Sequence, residues 1–215
     1  MCHKIQPTMK VLAISDQIID RLYSTTVRET YPDVALILSC GDLPYEYLEF
    51  LVSIYNVPLL YVPGNHDPAY DLNEPRSRAH GCENLDGTSL FLKDLLFAGL
   101  GGSVEYQPGT PNQYTQLGMY QRVYRMLPAL IWERIRLRRR LDVLLTHSPP
   151  YGIHDDTDPA HEGLRAINYL IQVAKPRYLL HGHTIFYRQN LQDHVTVIND
   201  TKVINIYPFR VMNLE

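Results

Sequence analysis

Cysteine is scarce in this chain. Cys2, Cys40 and Cys82 are the whole complement among 215 residues, odd in number and without paired spacing. That argues against a disulfide framework, and a three-cysteine metal site is not expected. Long apolar runs are missing as well: none approaches the roughly 20 residues that span a bilayer, and the N-terminus lacks the apolar core of a secretory signal. No membrane partner is expected, and a cytoplasmic location is. Charge of one sign is absent too: 20 basic and 23 acidic residues leave a formal net charge of −3, with no global pull toward nucleic acid or anionic membranes. There is no internal repeat, low-complexity tract or linker. A hydrophobic content of 45% and a charged content of 20% are ordinary for a globular protein, and the length suffices for one well-filled domain. Residues 1–8 read as an extension and 9–215 as that domain.

What is present is a set of short apolar runs that each stop at a potential metal ligand. Val11–Ser15 runs into Asp16, Val34–Gly41 into Asp42, and Pro58–Val62 into Gly64-Asn65-His66-Asp67. Asp142–Thr146 runs into His147, and Tyr178–Gly182 into His183. Continuous apolar runs bounded by turn residues mark strands buried on both faces. In open α/β sheets ligands gather beyond the carboxyl ends of such strands.

Between the strands, Ile18, Ile19, Leu22, Tyr23 and Val27 predict an amphipathic helix ending before Tyr31-Pro32-Asp33, and Tyr45, Leu48, Val52 and Tyr55 predict a second, closed by Asn56. The opening β–helix–β–helix–β reads as parallel. Residues 68–89 show no period. Leu90-Phe91 and Leu95–Gly99 predict a hairpin through Lys93-Asp94, and residues 99–121 a long surface loop. Residues 119–140 read as helical with a break or restart at Pro128. The arginines there, at 122, 125, 134, 136, 138, 139 and 140, read as a solvated helix face, so nucleic acid is not indicated. Leu164, Ile167, Leu170, Ile171 and Ala174 predict another helix stopped by Lys175-Pro176. Its start is read at Asp158 or Pro159, or else Asp155, Asp156, Asp158, His161 and Glu162 form a polar loop beside the site. Thr184–Arg188, Val195–Asn199, Lys202–Tyr207 and Phe209–Leu214 then predict an antiparallel meander.

In order, strand context and spacing, Asp16, Gly41-Asp42, Gly64-Asn65-His66-Asp67, Thr146-His147 and Gly182-His183 resemble the calcineurin-like metallophosphoesterase family. The resemblance implies an α/β (α+β) four-layer sandwich: two mixed β-sheets packed together, flanked by helices, with metals at the strand ends. It also implies that Asp42 bridges two metals and that Asp42, Asn65, His147 and His183 complete one of the two sites. Oxygen and imidazole donors suit Mn²⁺, Fe or Zn²⁺ better than Ca²⁺. Two such metals about 3.5–4 Å apart can bind a phosphoester, activate water and stabilise an in-line displacement. By the same resemblance His66 is the general acid for the leaving group, and Asp67 orients its ring.

The other metal site departs from the family pattern. Asp-x-His is here Asp16-Gln17-Ile18, and Gly-His-x-His is here Gly182-His183-Thr184-Ile185. What remains for that metal is Asp16 and the bridging Asp42, with Gln17 a weak helper. Three outcomes stand open: the first metal is weakly held, it is absent, or His154, His161 or Tyr187 reaches in. One divalent metal is thus expected to bind firmly and a second weakly or not at all. His181 and Tyr45 are candidate substrate-binding residues, and Tyr106 and Tyr114 are further aromatic candidates. The expectation is a hydrolase acting on a phosphomonoester or phosphodiester, of reduced or mononuclear activity. The rival is a non-catalytic scaffold on a degenerate site. Oligomeric state is not written in the pattern.

Overall fold

A computed structural model describes residues 8–185 and 194–215. In chain order the first elements are β1 (Met9–Ile14), α1 (Val27–Thr30), β2 (Leu36–Ser39), α2 (Tyr45–Tyr55), β3 (Leu59–Tyr61) and β4 (Glu83–Asn84). Next come the hairpin β5 (Ser89–Leu92) and β6 (Leu95–Leu100), the short β7 (Ser103–Val104) and β8 (Gln113–Tyr114), and the long α3 (Gln116–Leu137). The chain continues with β9 (Val143–Thr146), α4 (Arg165–Ala174), β10 (Tyr178–His181), β11 (Val195–Ile198), β12 (Thr201–Asn205) and β13 (Phe209–Leu214). One sheet has the order β13-β1-β2-β3-β4, parallel except for β13. The other has the order β11-β12-β10-β9-β6-β5, parallel in the middle with an antiparallel strand at either edge.

Side-chain alternation along these strands builds the layers. Val11 and Ala13 of β1, with Leu36 and Leu38 of β2, face Phe97, Val143, Leu145 and Leu180 of the other sheet. Their neighbours Leu12, Ile14 and Ile37 turn the opposite way and pack on Tyr47, Leu48 and Leu51 of α2. Leu96, Leu144 and Leu179 likewise turn outward to Met119, Val123 and Met126 of α3 and Ile167 and Leu170 of α4. Because successive residues point to opposite faces, a strand buried on both must be apolar throughout. The result is the expected four-layer sandwich of helix, sheet, sheet and helices.

Several local expectations give way. The helix predicted over Ile18–Val27 is a series of turns with only Val27–Thr30 helical, although Leu22 and Val27 are buried as the pattern required. The reason is local: the Thr26 amide donates to Ser24 Oγ at 3.3 Å, a side-chain bond that competes with helix. Pro128 does not break α3, which runs unbroken from an N-cap at Thr115. The buried stripe Met119, Val123, Met126 and Leu130 holds both halves against one sheet, and the carbonyl freed by Pro128 belongs to exposed Tyr124. The arginine face is solvated as expected at Arg125, Arg134, Arg136 and Arg138, but Arg122 is drawn in to pair with Asp86 and Arg139 to pair with Asp142. The predicted surface loop at 99–121 begins as buried backbone, because a Cβ at Gly99 would meet Val62 Cγ1 at 2.6 Å. The closing meander is split between sheets: β12 pairs parallel with β10, whereas β13 crosses to pair with β1. Cys2 and His3, and residues 186–188 of the predicted strand Thr184–Arg188 with Tyr187 among them, lie outside the described residues.

Candidate metal centre

Strand tips from both sheets meet along one edge of the sandwich. Asp16 follows β1, Asp42 follows β2, the Gly64–Asp67 turn follows β3, His147 follows β9 and His183 follows β10. Asp16, Asp42 and His183 all adopt left-handed backbone conformations, with φ of 64°, 56° and 67°. Non-glycine residues rarely take that conformation, and it recurs where function holds a side chain in place. The glycines of the motifs are there for close approach. A Cβ at Gly64 would collide with Asp42 Oδ1, and one at Gly182 with Ser15 Oγ and Asp16 Oδ2.

Asp42, His147 and His183 present one donor atom each, all within 4.8 Å of one another. The His147 Nδ1–H donates to the Cys40 carbonyl at 2.7 Å, which leaves Nε2 facing Asn65 Oδ1 at 2.9 Å and Asp42 Oδ2 at 3.3 Å. On His183 the opposite nitrogen is anchored: Nε2–H donates to the Ala160 carbonyl at 2.8 Å, and Nδ1 is left as the donor to a cation. Backbone carbonyls therefore set both imidazole tautomers, as second partners of metal-binding histidines commonly do. Around His147 Nε2 the facing atoms are all acceptors. They need a positive charge between them, whether a proton or a metal cation. Burial disfavours charge on His147, but the Asp42 carboxylate prevails and raises the imidazole to about 9. Burial also works against Asp42, and His147 overrides it, lowering the carboxyl to about 2. His183 falls to about 3 through burial and the neighbouring His147. A carboxylate, an amide oxygen and two imidazoles fit a borderline divalent cation.

Asp16 is differently used. Both of its oxygens accept from the His183 amide at 3.0 Å, and burial raises its carboxyl above the ordinary range. Among the described residues it does not join the three-donor group. Gln17 is no helper either, since its Oε1 accepts from the Tyr207 hydroxyl at 2.8 Å. Ile18 and Ile185 are surface residues, 38% and 45% exposed. Of the candidates to replace the lost histidines, His161 packs against His183, its ring 5.1 Å away and its Nδ1 held by Asp158 Oδ2 at 2.8 Å, but among the described residues it does not join the three-donor group. It sits on the polar loop, because α4 starts only at Arg165.

His66 and Asp67, expected to act as a pair, are placed apart in role. His66 is exposed beside Asp42, its amide donating to Asp42 Oδ1 at 2.8 Å. Asp67 does not hold the His66 ring. Its Oδ2 accepts from the Gly64 amide at 2.7 Å and the Asp42 amide at 3.0 Å, tying two motifs together, and burial raises it to about 6. His181 is fully buried and cannot meet substrate: Nδ1–H donates to the Gly182 carbonyl at 3.0 Å, and Nε2 pairs with His154 Nδ1 at 2.9 Å. Tyr45 lines a cavity of about 340 Å³ together with Asp42 and His66. Tyr106 OH lies 3.1 Å from Asn65 Nδ2 and helps orient that amide. Tyr114 is instead covered by the Arg122 guanidinium at 4.1 Å. The Cys40 and Ala160 carbonyls left no sequence signal, since any residue carries one.

Fold and donor set together define a two-sheet sandwich with a candidate metal site at the strand tips. The chain belongs to the calcineurin-like phosphoesterase family, whose model matches residues 9–187. It is 26% identical over 174 residues to uncharacterized protein MJ1162 of Methanocaldococcus jannaschii, covering 76% of this chain and 73% of that one. In fold it resembles TT1561 of Thermus thermophilus, with a TM-score of 0.63 at 19% identity over 97% of this chain and all (100%) of the other. Another solved structure matches with a TM-score of 0.62 at 14% identity, again covering 97% and 100% of the two chains.

Proposed function

We propose that this protein is a phosphoesterase working with one firmly held divalent metal, Mn²⁺, Fe or Zn²⁺, on a phosphomonoester or phosphodiester. The observation that carries this reading is the convergence of Asp42 Oδ2, Asn65 Oδ1 and His147 Nε2, with His183 close by, on a point that requires positive charge. A divalent cation held by these four residues supplies charge neutralisation for phosphoryl oxygens and makes water a better nucleophile. The chain's own parts do the rest. The Cys40 and Ala160 carbonyls fix the imidazoles, the Asp67 carboxylate locks the Gly64 turn onto Asp42, and exposed His66 gives a proton to the departing alkoxide. A second cation is weakly held or absent, because the Asp16 oxygens already accept from the His183 amide.

Residues 9–215 form the catalytic domain in this reading. Free Cys40 and Cys82 suit a reducing cytoplasm. No helix among the described residues is long and apolar enough to cross a membrane.

A scaffold role on the same fold is the second reading, favoured by the isoleucines at 18 and 185. Elemental analysis, with assays of a chromogenic phosphodiester and monoester in added Mn²⁺, separates the two. Turnover by the wild type that His66→Ala removes supports the enzyme. Turnover confined to Ile18→His/Ile185→His supports the scaffold.

A further inference from the structure

The cavity beside His66 contains a charge that the metal centre does not use. Its volume of about 340 Å³ lies within the range of small-molecule sites. Asp42 and His66 join it to the metal centre, Pro44 and Tyr45 give it an apolar wall, and Arg76 lines it from the segment 68–89, where the sequence showed no pattern. The Arg76 guanidinium makes no ion pair, side-chain hydrogen bond or ring contact among the described residues; only its backbone amide is bonded, to Glu74 Oε1. Glu46 lines the same cavity without pairing with it.

The proton donor must stand next to the leaving oxygen, so the alcohol being released has to extend past His66. We propose that this cavity is the leaving-group subsite and that Arg76 selects alcohols bearing a second anionic oxygen group, a carboxylate or a phosphate; the proposal rests on the phosphoesterase reading above. Guanidinium is the side chain whose planar fork matches either group. The carboxylates of Asp42, Asp67 and Glu46 line the same cavity and repel anions, so exposed Arg76 is the lining group that can favour a second anionic oxygen group there. The apolar wall accepts the body of a small alcohol, with Tyr45 available for ring contact.

The test uses non-hydrolysable phosphonates bound to the protein in Mn²⁺, measured by calorimetry. Benzylphosphonate lacks the second anion, 4-(phosphonomethyl)benzoate carries a carboxylate, and 1,4-xylylenebisphosphonate carries a second phosphonate. The wild type is expected to bind at least one of the two analogues with a second anionic group about fivefold more tightly than benzylphosphonate, the scale of a partly exposed ion pair. Which of the two is favoured distinguishes a carboxylate from a phosphate. Arg76→Ala should abolish the preference while leaving benzylphosphonate affinity unchanged, and Arg76→Lys should restore part of it. Equal affinities in the wild type, or a preference that survives Arg76→Ala, overturns the subsite. Turnover of a chromogenic phosphoester is measured separately. Its absence alongside an intact preference would sink the phosphoesterase reading and leave the anion subsite standing.

Discussion

Asp16 and Asp42 stand at the tips of adjacent parallel strands, both in left-handed backbone conformations, and yet their carboxylates do different work. Asp42 faces His147 and shares a donor group with His183, whereas Asp16 spends both oxygens on the His183 amide. The difference follows from what surrounds each one. The Asp42 side has an imidazole pair whose outer nitrogens are anchored on carbonyls, so its inner nitrogens are aimed inward. On the Asp16 side Ile18 and Ile185, which offer no donor, stand at the surface. In the proposed reading a carboxylate serves as a metal ligand only where neighbouring donors complete a shell. Where they do not, it becomes a structural acceptor.

That contrast can be broken from either side. The largest expected effect is on chemistry at the complete half: His66→Ala should lower kcat by about 10²–10⁴-fold with metal content unchanged, because a general acid contributes on that scale. Steady-state kinetics paired with elemental analysis checks it, and an undiminished kcat would remove His66 from the reaction. Next in size, Asp42→Asn should weaken the tight metal equivalent by about 100-fold or more, whereas Asp16→Asn should weaken it by less than about tenfold. Calorimetric Mn²⁺ titration reads both, and equal losses would show that Asp16 belongs to the shell after all.

Asp67→Ala should cost about 2 kcal/mol in chemical denaturation, since the buried Gly64 and Asp42 amides lose their acceptor. A purely kinetic defect with unchanged stability would instead return Asp67 to the role of ring-holder for His66. The smallest effect is a gain: Ile18→His/Ile185→His should add a second, weaker metal equivalent to the titration. Both positions are exposed, so the imidazoles replace no core packing. A second equivalent already present in the wild type at equal affinity would contradict the one-metal reading.

The residues at the strand tips were legible because each sits at the end of an apolar run, and burial on both faces forces that run to be apolar. The motif glycines were visible, but not their purpose, which is to let Asp42 and Asp16 approach neighbouring backbone. The first helix was misread because apolar spacing alone says nothing of Ser24 and Thr26 competing for backbone bonds. The destination of β13 was equally hidden. An alternating strand pairs with any edge of matching pattern, and here the partner is β1, nearly two hundred residues earlier in the chain.

What the residue order alone determined was which side chains arrive at the strand tips. Tertiary structure alone decided which nitrogen of each histidine faces inward, that Asp67 braces a turn, that His181 is sealed away, and that Arg76 borders the cavity beside His66. Those outcomes depend on backbone carbonyls, amides and loops contributed from distant parts of the chain. Such groups are common to every residue, so their placement leaves no mark in a one-dimensional pattern.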